Sequence, residues 1–177
     1  MIGRRRYQRR GTIVAAIILS GTIAFATTPA TAAQLQPDAC KLFTNKDARR
    51  ILGQAARREA KLRSVQGSEC IYAGEKDPKR IVRLALGEFA SGDEASKAYT
   101  TARANAQFDG LKVDNVRRVG RRAHWLPQTN NFERTVVGEP VVFGELTVLE
   151  GRRVYSAFVA PPSQKKARDT INLVVAD

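Results

Sequence analysis

The sequence predicts an α+β domain, a mainly antiparallel sheet packed by helices, carried behind an export leader. Three observations point there. Two stretches, "KRIVRLALGEF" (79–89) and "EPVVFGELTVLEGRRVYSAFVA" (139–160), alternate apolar and polar residues with period two, as strands with one buried face do. Three others set apolar residues at helical spacing, two of them behind capping residues. No repeat or low-complexity linker divides the chain after the leader, so residues 39–177 are expected to form a single domain.

The leader comes first. "MIGRRRYQRR" is cationic, Ile13 to Ala26 is an apolar run of 14 residues, and "TTPATAA" supplies small residues for a signal peptidase. Ala30 and Ala32 place the cut after Ala32, with Ala33 nearly as good. Residues 1–32 are then a signal peptide and 33–38 a short linker. Two other readings stand beside this one. Left uncleaved, the uncharged run from Gly11 to Ala33 is long enough to span a bilayer, with its basic front held inside and the domain outside. "RRRYQR" loosely matches a twin-arginine signal, although a Sec-type leader fits better.

The elements of the domain can be read in order. "TNKD" from Thr44 is a capping-box-like start, Ala48, Ile51 and Leu52 form one apolar face, and Gly53 stops that helix. Residues 54–68 are ambiguous: their composition favours helix, yet "EAKLRSV" also suits a strand. "CIYA" from Cys70 is a short strand. In the strand after it, Val82, Leu84 and Leu86 face inward and Arg83, Ala85 and Gly87 outward. Ser91 caps the next helix, Glu94 completes its box, and Ala95, Ala98, Tyr99, Ala102 and Ala106 are its buried stripe. "LKVDNVRRVG" reads as a strand. Residues 139–160 read as a hairpin turning at Glu150 and Gly151, with Leu146 and Val148 facing inward opposite Val154 and Phe158. A closing helix after Pro162 turns Ala167, Ile171 and Val174 inward.

Charge narrows the partners. The whole chain carries +13, and removing the leader's five arginines, with no acid among them, leaves +8. That balance favours an anionic envelope polymer, acidic lipid or an envelope protein, with strong salt dependence; export makes nucleic acid an unexpected partner. Five arginine doublets stand out: Arg49–Arg50, Arg57–Arg58, Arg117–Arg118, Arg121–Arg122 and Arg152–Arg153. The plain reading is solvation of a basic surface. The sharper one is a patch at Arg117, Arg118, Arg121 and Arg122 that grips phosphate or carboxylate groups through paired N–H donors.

Cys40 and Cys70 are the only cysteines. Acylation would require a cysteine directly after the apolar run, whereas Cys40 lies 14 residues past Ala26. A metal site requires three or four ligands, which the single histidine, His124, does not complete. In an exported chain an even pair reads as a disulfide, here clamping the first helix to the sheet. His124 and Trp125 are a candidate recognition loop, with Trp125 alternatively a core anchor. No GxSxG or HExxH pattern accompanies His124, so no catalytic residue, cofactor or metal is expected.

"ACKLFTNKDARRILG", the later "CIY", "AHW" and "LTVLEGRRV" in this order resemble an actinobacterial domain-of-unknown-function family of small exported proteins and lipoproteins. The resemblance spans Ala39 to Val174. It implies a two-cysteine domain similar to the PsbP-like sandwich and supplies no catalytic residues. This chain departs from the family in lacking a lipobox cysteine and in placing Arg121 and Arg122 where relatives are small and acidic. The expected function is a secreted, non-enzymatic accessory or binding domain of the cell envelope. The alternatives are an extracytoplasmic hydrolase using His124 and a membrane-tethered interaction protein.

Overall fold

In the computed structural model of the chain, residues 37–64, 67–129 and 141–175 are described. The chain divides into Met1–Ala33 and Gln34–Asp177, and the described residues all belong to the second unit. The expectations about the leader, its cut and an uncleaved anchor lie outside the described residues.

Helix α1 (Ala39–Leu42) and helix α2 (Asn45–Leu52) open the domain. Strands β1 (Ala56–Ser64), β2 (Gly67–Gly74) and β3 (Ile81–Glu88) form an antiparallel meander. Helix α3 (Gly92–Phe108) leads to β4 (Asp114–Val116) and β5 (Arg122–Thr129). The hairpin β6 (Phe143–Glu150) and β7 (Arg153–Ala160) comes next, and α4 (Gln164–Val175) closes the chain. All seven strands join one antiparallel sheet in the order β1-β2-β3-β7-β6-β5-β4. The expected α+β class, a sheet packed by helices, is what the structure shows.

Helices lie against both faces. On the first, Ala39, Ala48, Ile51 and Leu52 of α1 and α2 and Ala167, Ile171 and Val174 of α4 pack on Tyr72, Val82, Leu84, Leu146, Val148 and Ala157. On the second, α3 brings Ala95 and Tyr99 onto Leu149, and a separate apolar group gathers around Ile71, Ile81, Phe143 and Phe158. Residues adjacent in a strand therefore serve opposite cores, as the two-residue period of a strand requires.

Local chemistry explains the helix ends. Thr44 and Asp47 make a reciprocal box, each side chain accepting the other's backbone N–H, and Gly53 takes the left-handed conformation at φ 70°. Ser91 accepts from the Glu94 N–H at 3.1 Å, but the Glu94 carboxylate accepts from Ala90, one residue earlier than a standard box.

The N-terminal corner is clamped several times over. Cys40 and Cys70 are joined by a disulfide, so the expected pairing holds. Ser68 accepts from the Ala39 N–H at 2.8 Å and donates to the Pro37 carbonyl at 2.6 Å. The buried Asp38 carboxylate caps α1 and pairs with Lys61 and with Arg63, the latter at 2.9 Å. The hydrogen bond from Lys61, joined by those from Arg63 and the Cys40 N–H, holds the Asp38 carboxyl down at about 2 against its burial.

Several expectations are corrected. The ambiguous 54–68 stretch contains strand β1, and β2 begins at Gly67, ahead of Cys70. Its helix-forming residues are overridden because β1 pairs along its length with β2. Cys40 sits inside a helix of its own, α1, which the sequence pattern did not announce. Only Asp114–Val116 of "LKVDNVRRVG" is strand. In the late hairpin Glu150 pairs with Arg153, so Gly151 and Arg152 form the turn. Val148 then faces Tyr155 and Leu146 faces Ala157, while Val154 and Phe158 pair with Leu149 and Glu145 on the second face. Ala102 is exposed, since only Ala95, Tyr99 and Ala106 of α3 are buried. Arg83, expected outward, is 8% exposed because the second face is covered too. It is bonded to Glu69 at 2.6 Å and stacked over the Phe158 ring.

Candidate functional site

The segment joining β4 to β5 carries three arginines on a turn whose backbone is pinned, and Arg122 opens β5 directly after it. Val116 and Val119 are buried in or against the first-face core, which anchors the turn from within. The Arg121 N–H donates to the Leu149 carbonyl at 2.9 Å, and the Arg168 guanidinium of α4 donates to the Arg117 carbonyl at 3.2 Å. Gly120 has φ 53° and lies so close to β6 that a Cβ there would come within 2.4 Å of Val148. Only glycine satisfies both demands. Arg118 also occupies the left-handed region, at φ 62°, which costs a residue with a Cβ about 1–2 kcal/mol. The turn is thus held in one shape by contacts on its inner side.

Its outer side is basic. Arg117, Arg118, Arg121 and Arg122 are all exposed, and none forms an ion pair among the described residues. Arg122 lies with its guanidinium over the Tyr99 ring, 4.9 Å from the centroid. Arg103 of α3 reaches Asn115 of β4 at 2.5 Å, adding another cation near the same strands. The doublet Arg152–Arg153 differs: both guanidinium groups face Glu88, at 3.6 and 3.5 Å. Identical dipeptides therefore have different electrostatic surroundings. Among the described residues the four arginines form no ion pair, a property they share with exposed Arg49, Arg50 and Arg58, although the Glu150 carboxylate lies against Gly120 of the same turn. An anionic group docking there meets several N–H donors that require no prior release from a carboxylate.

His124 and Trp125 do not form a recognition loop. Both lie in β5, at 1% and 6% exposure, on opposite faces of the sheet. Trp125 belongs to the first-face core, with its ring over Gly144, where a Cβ would come within 2.2 Å of the indole. His124 packs edge-on against Tyr99 at 5.0 Å between centroids. Burial, with the positive charges of Arg103 and Arg122 nearby, pushes its pKa down to about 4. Its Nδ1 has no hydrogen-bond partner among the described residues. The strand alternation through "RAHWLPQT" carries this information, but a flanking Pro127 and the basic doublet suggest a loop.

A second polar group escapes the sequence pattern altogether. Glu145, Thr147 and Ser156 line up on the second face, with Thr147 donating to Glu145 at 2.8 Å and lying 2.9 Å from Ser156. Burial pushes the Glu145 carboxyl above its usual range, against the hydrogen bonds it accepts and the attraction of Arg83. No signal in the sequence joins these residues, because Glu145 and Ser156 are brought together only by strand pairing. Among the described residues no three of His, Cys, Asp and Glu converge so as to hold a metal ion. None of the described helices is long and apolar enough to cross a membrane.

No protein-family model matches the chain, and no curated protein matches it in sequence.

Proposed function

We propose that the chain is an exported, non-enzymatic accessory domain of the cell envelope that binds anionic groups through the β4–β5 turn. The observation that carries this reading is the set of four exposed arginines without acidic partners on a backbone held by Gly120, Leu149 and Arg168. The disulfide supports export, since such bonds persist in oxidising compartments. The resemblance to small exported actinobacterial proteins agrees with it. The hydrolase alternative gains no support from His124, whose imidazole is buried beneath α3.

The test is binding to an anionic polymer bearing phosphate or carboxylate groups, measured across a salt series. Changing Arg117, Arg118, Arg121 and Arg122 to glutamine is expected to weaken binding by roughly tenfold or more at low salt and to flatten its salt dependence. Changing Arg152 and Arg153, already matched by Glu88, is expected to matter far less. Equal losses in the two variants would show that diffuse net charge, and no site, is responsible.

A further inference from the structure

The first face of the sheet carries another basic feature, away from the β4–β5 turn. Between α2 and α4 lies a cleft of about 490 Å³, lined by Arg50 and Ile51 from the first helix and by Lys165, Lys166, Asp169 and Asn172 from the second. Asp169 is its one acid and is engaged by Lys165 at 2.8 Å, one helical turn away. Arg50 and Lys166 form no ion pair among the described residues. Two uncommitted cations on different helices therefore border one hollow, with the Asn172 amide as an added donor. Arginine offers parallel N–H groups and lysine a compact charge, and together they suit the oxygens of a phosphate.

The cleft also connects to the turn. On α4, Lys165 and Arg168 are three residues apart and so neighbours on one side of the helix. Arg168 in turn bonds to the Arg117 carbonyl at 3.2 Å. Basic side chains thus continue from the cleft along α4 to the turn, with Lys165 matched by Asp169 and Arg168 next along the helix. A single small anion would occupy only one end of such a track. A lipid headgroup layer is flat and does not enter a hollow between two helices, whereas a chain can thread it.

We propose that the α2–α4 cleft is a phosphate subsite and that α4 joins it to the β4–β5 turn, so that the protein takes up an extended phosphate polymer along both. The polymer assignment rests on the anion-binding reading of the turn, while the subsite itself does not. Two subsites on one chain-like ligand raise affinity through effective concentration, with no new contact.

Calorimetric titration with pyrophosphate, with long-chain inorganic polyphosphate and with phosphatidylglycerol vesicles tests the proposal on three proteins. These are the parent, the Arg50→Gln/Lys166→Gln variant and the fourfold turn variant. The parent is expected to bind pyrophosphate at two sites, the cleft variant to lose the cleft's site and keep the turn's, and the turn variant to lose the turn's site and keep the cleft's. Polyphosphate is expected to bind the parent on the order of a hundredfold more tightly than pyrophosphate, and each variant is expected to lose roughly tenfold or more of that affinity. An Arg50→Lys/Lys166→Arg variant, which keeps both charges, is expected to retain most pyrophosphate binding, and an unchanged melting temperature shows that each fold is intact. Pyrophosphate binding unaffected by Arg50→Gln/Lys166→Gln overturns the subsite, and polyphosphate binding that depends on the turn alone overturns the track while leaving the turn reading in place. Loss in the cleft variant alone keeps the subsite and removes the turn. Vesicles bound as tightly as polyphosphate, and released by the cleft substitutions, overturn the polymer assignment.

Discussion

On the first face of the sheet, three helices and a disulfide close over Leu84, Leu146, Val148 and Ala157. On the second, α3 covers Leu149 with two buried side chains, and buried Arg83 and His124 lie there with half-buried Glu145, Arg83 bonded to Glu69 and Glu145 to Thr147. The first face is stabilised by removing apolar surface from water, an effect nearly independent of pH. The second also buries ionisable groups, each of which must be neutral or matched to remain there. Arg83 is matched by Glu69, Glu145 is shifted toward its neutral form, and His124 is held neutral. The contrast teaches that the second face sets the pH response down to the range where Asp38, at the first-face corner, titrates, and that the first face sets the bulk of the stability.

The largest expected effect is on the first face. Replacing Cys40 and Cys70 together by serine is expected to lower unfolding stability by about 3–4 kcal/mol on the chain-entropy account of a loop this long. Denaturant unfolding checks it, and far-ultraviolet circular dichroism should show the helices and sheet retained. A loss under about 1 kcal/mol would place the strength of that corner in Asp38, Lys61 and Ser68 instead.

Acid should act first on the second face. The folded pKa of His124, about 4, lies below its ordinary 6.5, so the folded state binds fewer protons than the unfolded one between these values. Its contribution is complete above pH 6.5 and is lost as pH falls toward 4, a loss approaching about 3 kcal/mol. His124→Phe keeps an aromatic ring against Tyr99 and removes the proton. Comparing unfolding free energies of parent and variant between pH 7 and 4 isolates the effect, and parallel curves would break the contrast between the faces. Asp38 responds only further down, since its stabilisation is present above about 3.8 and disappears as pH falls through about 2.

The smallest effect belongs to the outer side of α3. Ala102 is exposed although helical spacing marks it as core, so Ala102→Glu should change stability by no more than about 0.5 kcal/mol. A loss several times larger in thermal unfolding would mean that α3 buries a wider stripe than Ala95, Tyr99 and Ala106.

The features that the sequence determined by itself are local. Thr44 with Asp47, Ser91 and Gly53 mark helix ends because a cap acts within a turn of the residue it serves. The alternation through Val82, Leu84 and Leu86 marks a strand because neighbouring side chains must point opposite ways. The two cysteines had only each other to join. The four arginines were legible as a candidate site, but their lack of acidic partners was not. That depended on Glu88 lying across from Arg152 and Arg153, which the pairing of β3 with β7 decides. Tertiary structure likewise turned 56–64 into a strand, set the late hairpin's register by a two-residue turn, and placed His124 beneath α3. It also brought Arg50 of α2 and Lys166 of α4 to one cleft. Each of these outcomes depends on groups far apart along the chain, whose interaction energies exist only once the sheet has assembled and brought them within reach.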